Sequence, residues 1–281
     1  MDATGGDADG GSTAPSISAS GRFVAFESQA ADLVPGDTGG ISDVFVRDAE
    51  ASTTTRMSVD ALGGGADAGS FVPAISADGR HVAFQSVATD LVTGDGNGTY
   101  DVFVRDRQAG TTVRASVDAD HGDADGASFL PAVSGDGRFV VFYSYAGDLV
   151  RADGNGAVDV FRWDRASGAS TRVSRDATGG DADGPSFDPV VSDDGRYVSF
   201  TSVASDLVTG DGNGLYDVFV RDVLTGSTSR ASVDQTGIDA NGRSLGPALS
   251  GDGRRLAFAS YASDLVADDG NHLPDVFLRV R

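Results

Sequence analysis

Hydrophobic and polar residues alternate along short segments of this chain. In residues 80–86, Val82 and Phe84 fall on one face and His81, Ala83 and Gln85 on the other. This period of two predicts a half-buried β-strand. No window shows helical periodicity, so the pattern predicts an all-β protein. The same two apolar positions recur as Val24/Phe26, Val140/Phe142, Val198/Phe200 and Leu256/Phe258.

Three further strands are predicted around this segment. Residues 71–76 form a short strand, and Asp78-Gly79 after it predicts a two-residue hairpin that tolerates positive φ. Residues 101–105 contain Val102, Phe103 and Val104, which are apolar on both faces, as in a strand covered by neighbours on either side. Residues 111–117 are more polar, which is typical of an edge strand. One unit therefore contains four antiparallel strands.

The whole unit repeats every 58 residues without insertion or deletion, as a recurring proline shows. Four antiparallel strands in a repeat of this length are typical of a β-propeller blade. We therefore predict a single domain, residues 1–281, that is a five-bladed β-propeller of four-stranded blades. The marker prolines are Pro15, Pro73, Pro131, Pro189 and Pro247. The units are approximately 13–70, 71–128, 129–186, 187–244 and 245–281, and residues 1–12 are a partial connector.

The last unit stops just after its third strand, and residues 1–10 match the connector at residues 175–184. Propellers often close by borrowing a strand from the opposite terminus. We expect either that the natural chain begins upstream of Met1, behind an export signal and with the missing outer strand, or that the last blade has three strands and an exposed edge. Residues 1–14 themselves are not a signal peptide.

Composition restricts the partners. The net charge is −21, which disfavours nucleic acid and anionic membranes and favours cations or basic partners. No apolar run is long enough to insert into a membrane, cysteine is absent, and we expect a monomer. All 21 basic residues are Arg. We interpret this usage partly as a base-composition bias and give individual arginines little weight.

Strand alternation places both long loops of a unit on one face. These are residues 87–100, between the second and third strands, and residues 118–127, the connector to the next unit. Both loops are rich in Asp and Gly, whereas the opposite face has short turns. We therefore predict an acidic, glycine-rich face that presents a ligand-binding surface.

One acidic motif on this face has the spacing of hard oxygen ligands. Asp95, Asn97 and Asp101 stand at relative positions 1, 3 and 7, which matches the opening of a Ca²⁺ loop, but the third acid and the terminal Glu are missing. The alternative, which we favour, is that these residues form turns and that Asp101 caps the start of the third strand. The first unit breaks the motif at Asp37-Thr38-Gly39-Gly40. The other weak Ca²⁺ candidates are Asp153, Asn155, Asp159, Asp211, Asn213, Asp217, Asp269, Asn271 and Asp275.

A second acidic motif lies in the connectors, and it too could either bind Ca²⁺ or form part of a solvent-exposed loop. We interpret it as solvated connector. Its members are Asp123/Asp125, Asp7/Asp9, Asp181/Asp183 and Asp239/Asn241.

A unique catalytic site would have to use residues that depart from the repeat. Glu27 is such a residue, and His81, His121 and His272 are others. No two of them form a nucleophile–base or paired-carboxylate arrangement, so we assign no catalytic residue. We expect His81 to be an exposed strand residue.

Arg162-Trp163 also departs from the repeat, since the other units have an apolar residue followed by Arg at these positions. We expect Trp163 to be a partly exposed aromatic on a blade flank. The alternative is that Trp163, Tyr143 and Tyr145 form a carbohydrate-stacking patch.

The unit PAISADGRHVAF followed by DVFVRD resembles the PD40 (WD40-like) repeat of the TolB-type β-propellers, and the match covers nearly the whole chain. The resemblance implies an extracytoplasmic bacterial protein that binds a protein or other ligand on a propeller face. It also implies a structural role for Asp43, Asp101, Asp159, Asp217 and Asp275. TolB proteins have an additional N-terminal domain and six blades, so their partner is not transferred.

Three functions remain open. We favour a non-catalytic binding or scaffold module that uses the acidic loop face. One alternative is a carbohydrate-active enzyme, a glycosidase or lyase, which needs two positioned carboxylates and for which Glu27 with a channel-lining Asp is the only candidate pair. The other is a cation-stabilised structural or adhesive repeat. No cofactor is expected apart from the Ca²⁺ alternative.

Overall fold

The fold is described by a computed structural model covering residues 2–37, 40–271 and 273–281. Met1, the Thr38-Gly39 pair and His272, which entered the sequence predictions, lie outside the described residues. The described residues form β-strands and no α-helix, so they contain no helix that could span a bilayer. The strands are β1 (Ser12–Ile17), β2 (Phe23–Ser28), β3 (Asp43–Asp48), β4 (Thr53–Arg56), β5 (Ser70–Ile75), β6 (His81–Ser86), β7 (Asp101–Asp106), β8 (Thr111–Arg114), β9 (Ser128–Val133), β10 (Phe139–Ser144), β11 (Asp159–Asp164), β12 (Ala169–Arg172), β13 (Ser186–Val191), β14 (Tyr197–Ser202), β15 (Asp217–Asp222), β16 (Ser227–Arg230), β17 (Ser244–Leu249), β18 (Arg255–Ser260) and β19 (Asp275–Val280).

The strands form five antiparallel sheets, which we call blades 1 to 5 in chain order. Blades 1 to 4 each contain four strands in sequential order, and blade 5 contains β17, β18 and β19. The first strands of successive blades, β1, β5, β9, β13 and β17, contact one another and are the innermost strands. The predicted all-β, five-bladed propeller is confirmed, and the last blade lacks an outer strand within the described residues.

The second strands of blades 2 to 4 are more deeply buried than predicted. β6 is buried on both faces, because Val82 and Phe84 pack in the core between blades 1 and 2 while Ala83 packs in the core between blades 2 and 3. The prediction of a half-buried strand was therefore wrong for blades 2 to 4, whereas β18 in blade 5 shows the predicted alternation of buried with less buried residues. The sequence alternates because each face of β6 packs against a different neighbouring blade. The large residues Val82 and Phe84 form one interface, and the small residue Ala83 forms the other.

The turn between the first two strands is longer than the predicted two-residue hairpin. Residues 76–80 connect β5 to β6, and the Ser76 side chain closes the turn by accepting the His81 N–H at 2.9 Å and donating to Asp78 at 2.6 Å. Gly79 has a φ of +72°, and a Cβ there would lie 2.1 Å from the Phe23 ring of the preceding blade. The glycine therefore permits both the turn and the contact between blades.

The fourth strand is shorter than predicted. β8 ends at Arg114, and the Ser116 hydroxyl then accepts the Val102 N–H at 2.9 Å in place of a backbone carbonyl. The last hydrogen bond between β7 and the segment after β8 is therefore made to the Ser116 side chain and not to a backbone carbonyl. The exposed, alternating pattern of β8 confirms that it is an edge strand.

The blades pack in sequence. Four apolar clusters join blades 1 and 2, 2 and 3, 3 and 4, and 4 and 5. Within the described residues, none of the clusters joins blade 5 to blade 1. The outer faces of these two blades are accordingly open, with Val276 of β19 and Ile17 of β1 exposed.

Candidate functional site

In blades 1 to 4 both long loops lie on one face, as predicted, and hydrogen bonds join neighbouring loops there. In blade 2 the Asp123 carboxylate of the connector accepts the Gly96 N–H of the preceding loop at 3.2 Å. Asp67, in the connector from blade 1, accepts the Thr89 N–H at 2.9 Å and its hydroxyl at 2.7 Å. We call this surface the long-loop face and the opposite one the short-turn face.

The Ca²⁺ candidates are brought together, but around an arginine. In blade 2, Nη1 of Arg114 lies 2.9 Å from Asp95 and 3.4 Å from Asp101, and Nη2 lies 2.7 Å from Asp123. The guanidinium therefore occupies the position between the three carboxylates. It supplies there the positive charge that a metal ion would supply.

The same arginine cluster recurs in the other complete blades. Arg172 contacts Asp153, Asp159 and Asp181, and Arg230 contacts Asp211, Asp217 and Asp239. In blade 1, the described residues bring two carboxylates to Arg56, those of Asp37 and Asp43, because Gly65 stands where blades 2 to 4 have the third Asp. In blade 5, Asn271 donates to Asp275 at 3.0 Å, and the described residues bring no arginine to Asp269 or Asp275.

Burial dominates the electrostatics of these clusters. It raises the pKa of Asp95, Asp153 and Asp211 to about 6, although the neighbouring arginine opposes the shift. Burial also raises the pKa of Asp101. The raised values follow from the position of the carboxylates inside the fold.

The invariant Asp at the start of the third strand is a structural residue in blades 2 to 4, as the resemblance implied. Asp101 is fully buried and accepts hydrogen bonds from the Ser116 hydroxyl and, at 2.9 Å, from the Asn97 amide. Asn97 in turn accepts the Thr99 N–H at 3.1 Å. This is the turn and capping role favoured in the sequence analysis. Within the described residues, no group of three or more His, Asp or Glu side chains has a geometry suited to a metal ion.

The connector acids have specific partners as well. Asp123 binds Arg114, and Asp125 accepts the Gly147 N–H at 2.8 Å. Asp118 accepts the N–H groups of Asp120 and Gly122, and the bond from Gly122 lowers the pKa of Asp118. Interpreting this motif as merely solvated connector was therefore incomplete. Many acids of the face hold its loops in place.

Glu27 also has a structural partner in the neighbouring blade. Its carboxylate accepts the Val72 N–H at 2.7 Å and the Thr13 hydroxyl at 2.8 Å. Val72 has a φ of +50°, which is unfavourable for a β-branched residue. Gln85 makes the corresponding bond to Leu130 at 2.9 Å. Glu27 thus supports a strained bulge in the innermost strand.

The predicted exposure of His81 was wrong. His81 is buried, and its ring packs on Gly137 of the next blade, where a Cβ would lie 2.1 Å from Nδ1. Phe23, Phe139 and Tyr197 occupy the same position in other blades and contact the equivalent glycines. Burial lowers the pKa of His81. His121, by contrast, is exposed and has a φ of +67° where other units have Gly.

The expectation for Trp163 was also wrong. Trp163 is buried in the core between blades 2 and 3, and its indole N–H donates to the Gly168 carbonyl at 3.1 Å. It therefore cannot join a surface patch with Tyr143 and Tyr145. Arg162 beside it stacks on Phe139 at 4.2 Å and donates to the Gly195 carbonyl at 2.8 Å.

Tyr143 and Tyr145 do lie together, within a larger aromatic belt. Their ring centroids are 6.3 Å apart, and both rings contact Phe129, at 5.6 and 6.1 Å. Phe129 follows the first residue of an innermost strand, and Tyr145 directly follows β10, so both lie at the long-loop end of blade 3. The belt continues in contact from ring to ring through blades 2 to 4. Its members are Phe71, Tyr100, Phe129, Tyr143, Tyr145, Phe187 and Tyr216.

Sequence reasoning missed two features of this site. The cluster arginines Arg56, Arg114, Arg172 and Arg230 stand two residues before a constant Ser, a signal that was present in every complete unit. The belt combines residues from the first and second strands and from the loops of three blades. Only the packing of neighbouring blades brings those residues together.

Comparisons with known proteins identify the fold. No protein-family model and no curated protein matches the sequence. Among solved structures, TolB from Acinetobacter baumannii is 15% identical with a TM-score of 0.51, over 91% of this chain and 53% of that one. A protein assigned as TolB from Agrobacterium tumefaciens is 18% identical with a TM-score of 0.56, over 96% of this chain and 82% of that one.

An oligogalacturonate lyase in complex with manganese is 14% identical with a TM-score of 0.54, over 88% of this chain and 58% of that one. The chain thus spans about half the length of the A. baumannii TolB. These similarities show a shared fold, and they include both TolB and an enzyme.

Proposed function

We propose that this chain, which has a TolB-like β-propeller fold, is a non-catalytic binding module that holds a protein or glycan ligand on its long-loop face. The observation that carries the proposal is the aromatic belt at the inner rim of that face. Aromatic rings offer large, rigid contact areas at low entropic cost, and tyrosine adds a hydroxyl for hydrogen bonding.

The belt contains residues that are not repeated in every blade, as a single binding site on a repeat protein requires. Tyr143 stands where the other blades have Glu27, Gln85, Thr201 and Ala259. Tyr145 is 58% exposed, although it packs against Phe129 and Tyr143. Blade 3 therefore contributes three rings to the belt, more than blade 2 or blade 4, and a single ligand can bind there. Tyr261, at the position of Tyr145 in blade 5, is also exposed.

The bonding of the acidic loops supports a binding role over a catalytic one. In blades 2 to 4 the candidate carboxylates of the long-loop face are engaged by arginines, and Glu27 is engaged by Thr13 and Val72. A glycosidase would need two carboxylates free to act on a substrate. The lyase among the similar structures shows that the fold hosts such chemistry, but these contacts favour no catalytic residue here.

Charge and resemblance support two further parts of the proposal. A net charge of −21 repels nucleic acid and anionic membrane surfaces, so the ligand is neutral or basic. The similarity of the repeat to TolB-type propellers supports an extracytoplasmic location.

A glycan array followed by titration of any hit tests the proposal. We expect Tyr145→Ala to weaken binding at least tenfold, because it removes the exposed ring of the belt. The matched control is Leu224→Ala, which removes an exposed side chain from the short-turn face and should leave the affinity unchanged. A reducing-sugar assay with the bound glycan should show no turnover.

Two results would contradict the proposal. One is turnover of the glycan. The other is a ligand whose affinity depends on Leu224 and not on Tyr145. If no glycan binds, candidate protein partners are titrated against the same pair of variants, and the same dependence on Tyr145 is required.

A further inference from the structure

The inner rim of blades 3 and 4 brings a single carboxylate, that of Asp188, next to the aromatic belt. We propose that the ligand of the long-loop face is a basic segment of another protein, whose arginine or lysine side chains stack on Tyr145 and pair with Asp188. This inference rests on the proposed function, because it names the chemistry of the ligand that the belt binds. A glycan with amino groups presents a similar cation and is an outcome of the test.

Asp188 departs from the repeat. It stands directly before the recurring proline of an innermost strand, where the other blades have Ala14, Val72, Leu130 and Gly246. All five residues have positive φ, and Ala, Val and Leu adopt this conformation in blades 1 to 3. The backbone therefore does not require an aspartate at this position, and the carboxylate needs another explanation.

The Asp188 carboxylate is half-buried and, among the described residues, has no hydrogen-bond donor or cation as a partner. Burial raises its pKa, and no arginine opposes the shift as Arg114 does at Asp95. A carboxylate in this situation has already lost part of its hydration. It therefore gains more from an incoming cation than a fully solvated carboxylate does.

The carboxylate lies beside the belt. Phe187, the residue before Asp188, contacts the Tyr143 ring at a centroid distance of 5.5 Å. Tyr143 and Asp188 occupy the positions of Gln85 and Leu130, which a hydrogen bond of 2.9 Å joins across two blades. Burial raises the pKa of Tyr143, and the charge of Asp188 adds to that shift. The tyrosine and the carboxylate are therefore near neighbours at the long-loop end of the innermost strands.

Blade 5 shows how this rim holds a cation. Tyr261 stands where blade 3 has Tyr145, and the guanidinium carbon of Arg243 lies over its ring, 4.5 Å from the centroid. The blade 3 equivalent of Arg243 is Ala127, which supplies no cation. The Tyr145 ring is 58% exposed. A guanidinium or ammonium group of a ligand can therefore take the place over Tyr145 that Arg243 takes over Tyr261.

Charge and spacing favour a basic protein segment. The net charge of −21 attracts basic partners and raises their rate of association. The two anchors, Tyr145 and Asp188, lie in neighbouring blades, so two side chains of one extended segment can reach them together. Arginine suits both anchors, because its planar guanidinium stacks on rings and pairs with carboxylates.

A titration with two synthetic peptides tests the inference. The probe is capped Gly-Arg-Gly-Arg-Gly, and its control carries citrulline, the neutral isostere of arginine, at both positions. Each peptide is added to the full chain and binding is followed by calorimetry. We expect the citrulline peptide to bind at least tenfold more weakly, because it keeps the shape of arginine and loses the charge that both anchors recognise.

Protein variants separate the site from general charge effects. Asp188→Asn should weaken binding of the arginine peptide at least tenfold. Ala127→Arg supplies a guanidinium beside Tyr145 from within the chain and should also weaken the peptide at least tenfold, which provides a second variant should Asp188→Asn fail to fold. The matched control is Asp7→Asn, which removes an exposed carboxylate from the first connector of the same face and should change the affinity less than twofold.

Three outcomes would overturn the inference. The first is equal binding of the arginine and citrulline peptides, and the second is no binding at millimolar peptide. The third is preferential binding of a chitosan oligosaccharide, whose glucosamine units carry ammonium groups, since the cation would then come from a glycan. A ligand that depends on Tyr145 and not on Asp188 would contradict this inference alone. If no ligand depends on Tyr145, the proposed function fails as well.

Discussion

Blade 4 contains two arginine–aspartate sites of the same chemistry and opposite behaviour. On the long-loop face, Arg230 and Asp211 are almost fully buried, with side-chain exposures of 5% and 4%. On the short-turn face, Arg196 pairs with Asp222 at 2.7 Å, and Arg196 is 37% exposed. Burial raises the pKa of Asp211 to about 6, whereas the bond from Arg196 lowers the pKa of Asp222 to about 2.

The difference shows that the contribution of an ion pair depends on whether the whole pair is buried and on the carboxylates beside it, since Asp217 and Asp239 also raise the pKa of Asp211. Desolvation offsets the attraction at Asp211, so the buried cluster serves mainly to position two loops and a strand. At Asp222 the carboxylate is itself largely covered, with a side-chain exposure of 10%, but its arginine is exposed and the N–H groups of Leu224 and Thr225 also donate to it, so these bonds outweigh the cost of desolvation. The consequence for each site is a distinct response to mutation and to pH.

The largest expected effect is loss of the buried arginine. Arg230→Gln would leave Asp211, Asp217 and Asp239 without their cation, and we expect it to lower the free energy of unfolding by about 3–5 kcal/mol. Arg196→Gln removes an exposed partner and should have only a small fraction of that effect. Calorimetric melts of the two variants at pH 7 measure the difference. Equal losses would show that burial does not distinguish the two faces.

The second prediction concerns pH. Asp95, Asp153 and Asp211 have folded-state pKa values of about 6, above the unfolded value, so the folded state binds more protons between about pH 4 and 6. Their contribution to stability is therefore present below pH 4 and is lost as pH rises to 6. Asp222, with a lowered pKa, contributes stability that is lost as pH falls from about 4 to 2. We expect the highest melting temperature between pH 4 and 5.

Salt and mutation separate this effect from the net charge. Salt at 1 M screens repulsion among exposed carboxylates and leaves buried groups largely unaffected, so the fall in melting temperature from pH 5 to 7 should persist. Asp153→Asn removes one of the three titrations and should shrink that fall. A fall that vanishes in salt would assign it to net charge instead.

A smaller effect is expected where blades 2 and 3 meet. Within the described residues, neither ring nitrogen of the buried His81 has a hydrogen-bond partner, and Nε2 lies 3.6 Å from the Asp106 carboxylate, beyond hydrogen-bond distance. Blades 1 and 3 have Phe23 and Phe139 at this position. His81→Phe should therefore raise the free energy of unfolding by about 1 kcal/mol, because it removes unsatisfied polar atoms from the core. The reverse substitution, Phe139→His, should destabilise the chain. Denaturant melts of both variants check the pair, and a destabilising His81→Phe would contradict this account of the site.

The sequence predicted those features that depend on local pattern. Residues 101–105 are apolar on both faces and could only be a covered strand, and the loops fell on one face because strands alternate in direction. The burial of His81 could not be predicted in this way, since it depends on Gly137, which lies 56 positions away in the next blade. Arg114 was within reach of prediction, because an arginine two residues before Ser recurs in four units. Its role was missed because the arginines were interpreted as compositional.

The smallest expected effect is the change in melting temperature on addition of calcium. It tests whether the buried arginines take the place of a metal ion in their clusters. Arg114 already lies among Asp95, Asp101 and Asp123, so a Ca²⁺ ion would have to displace a buried guanidinium. We expect millimolar Ca²⁺ to shift the melting temperature by less than about 1 °C, since a ligand stabilises only in proportion to its occupancy. In Arg114→Gln the three carboxylates lose their cation, and a larger shift is expected there. The opposite result would be a large calcium-induced rise in melting temperature for the parent chain and none for Arg114→Gln. It would mean that calcium binds elsewhere and that Arg114 does not take the place of a calcium ion.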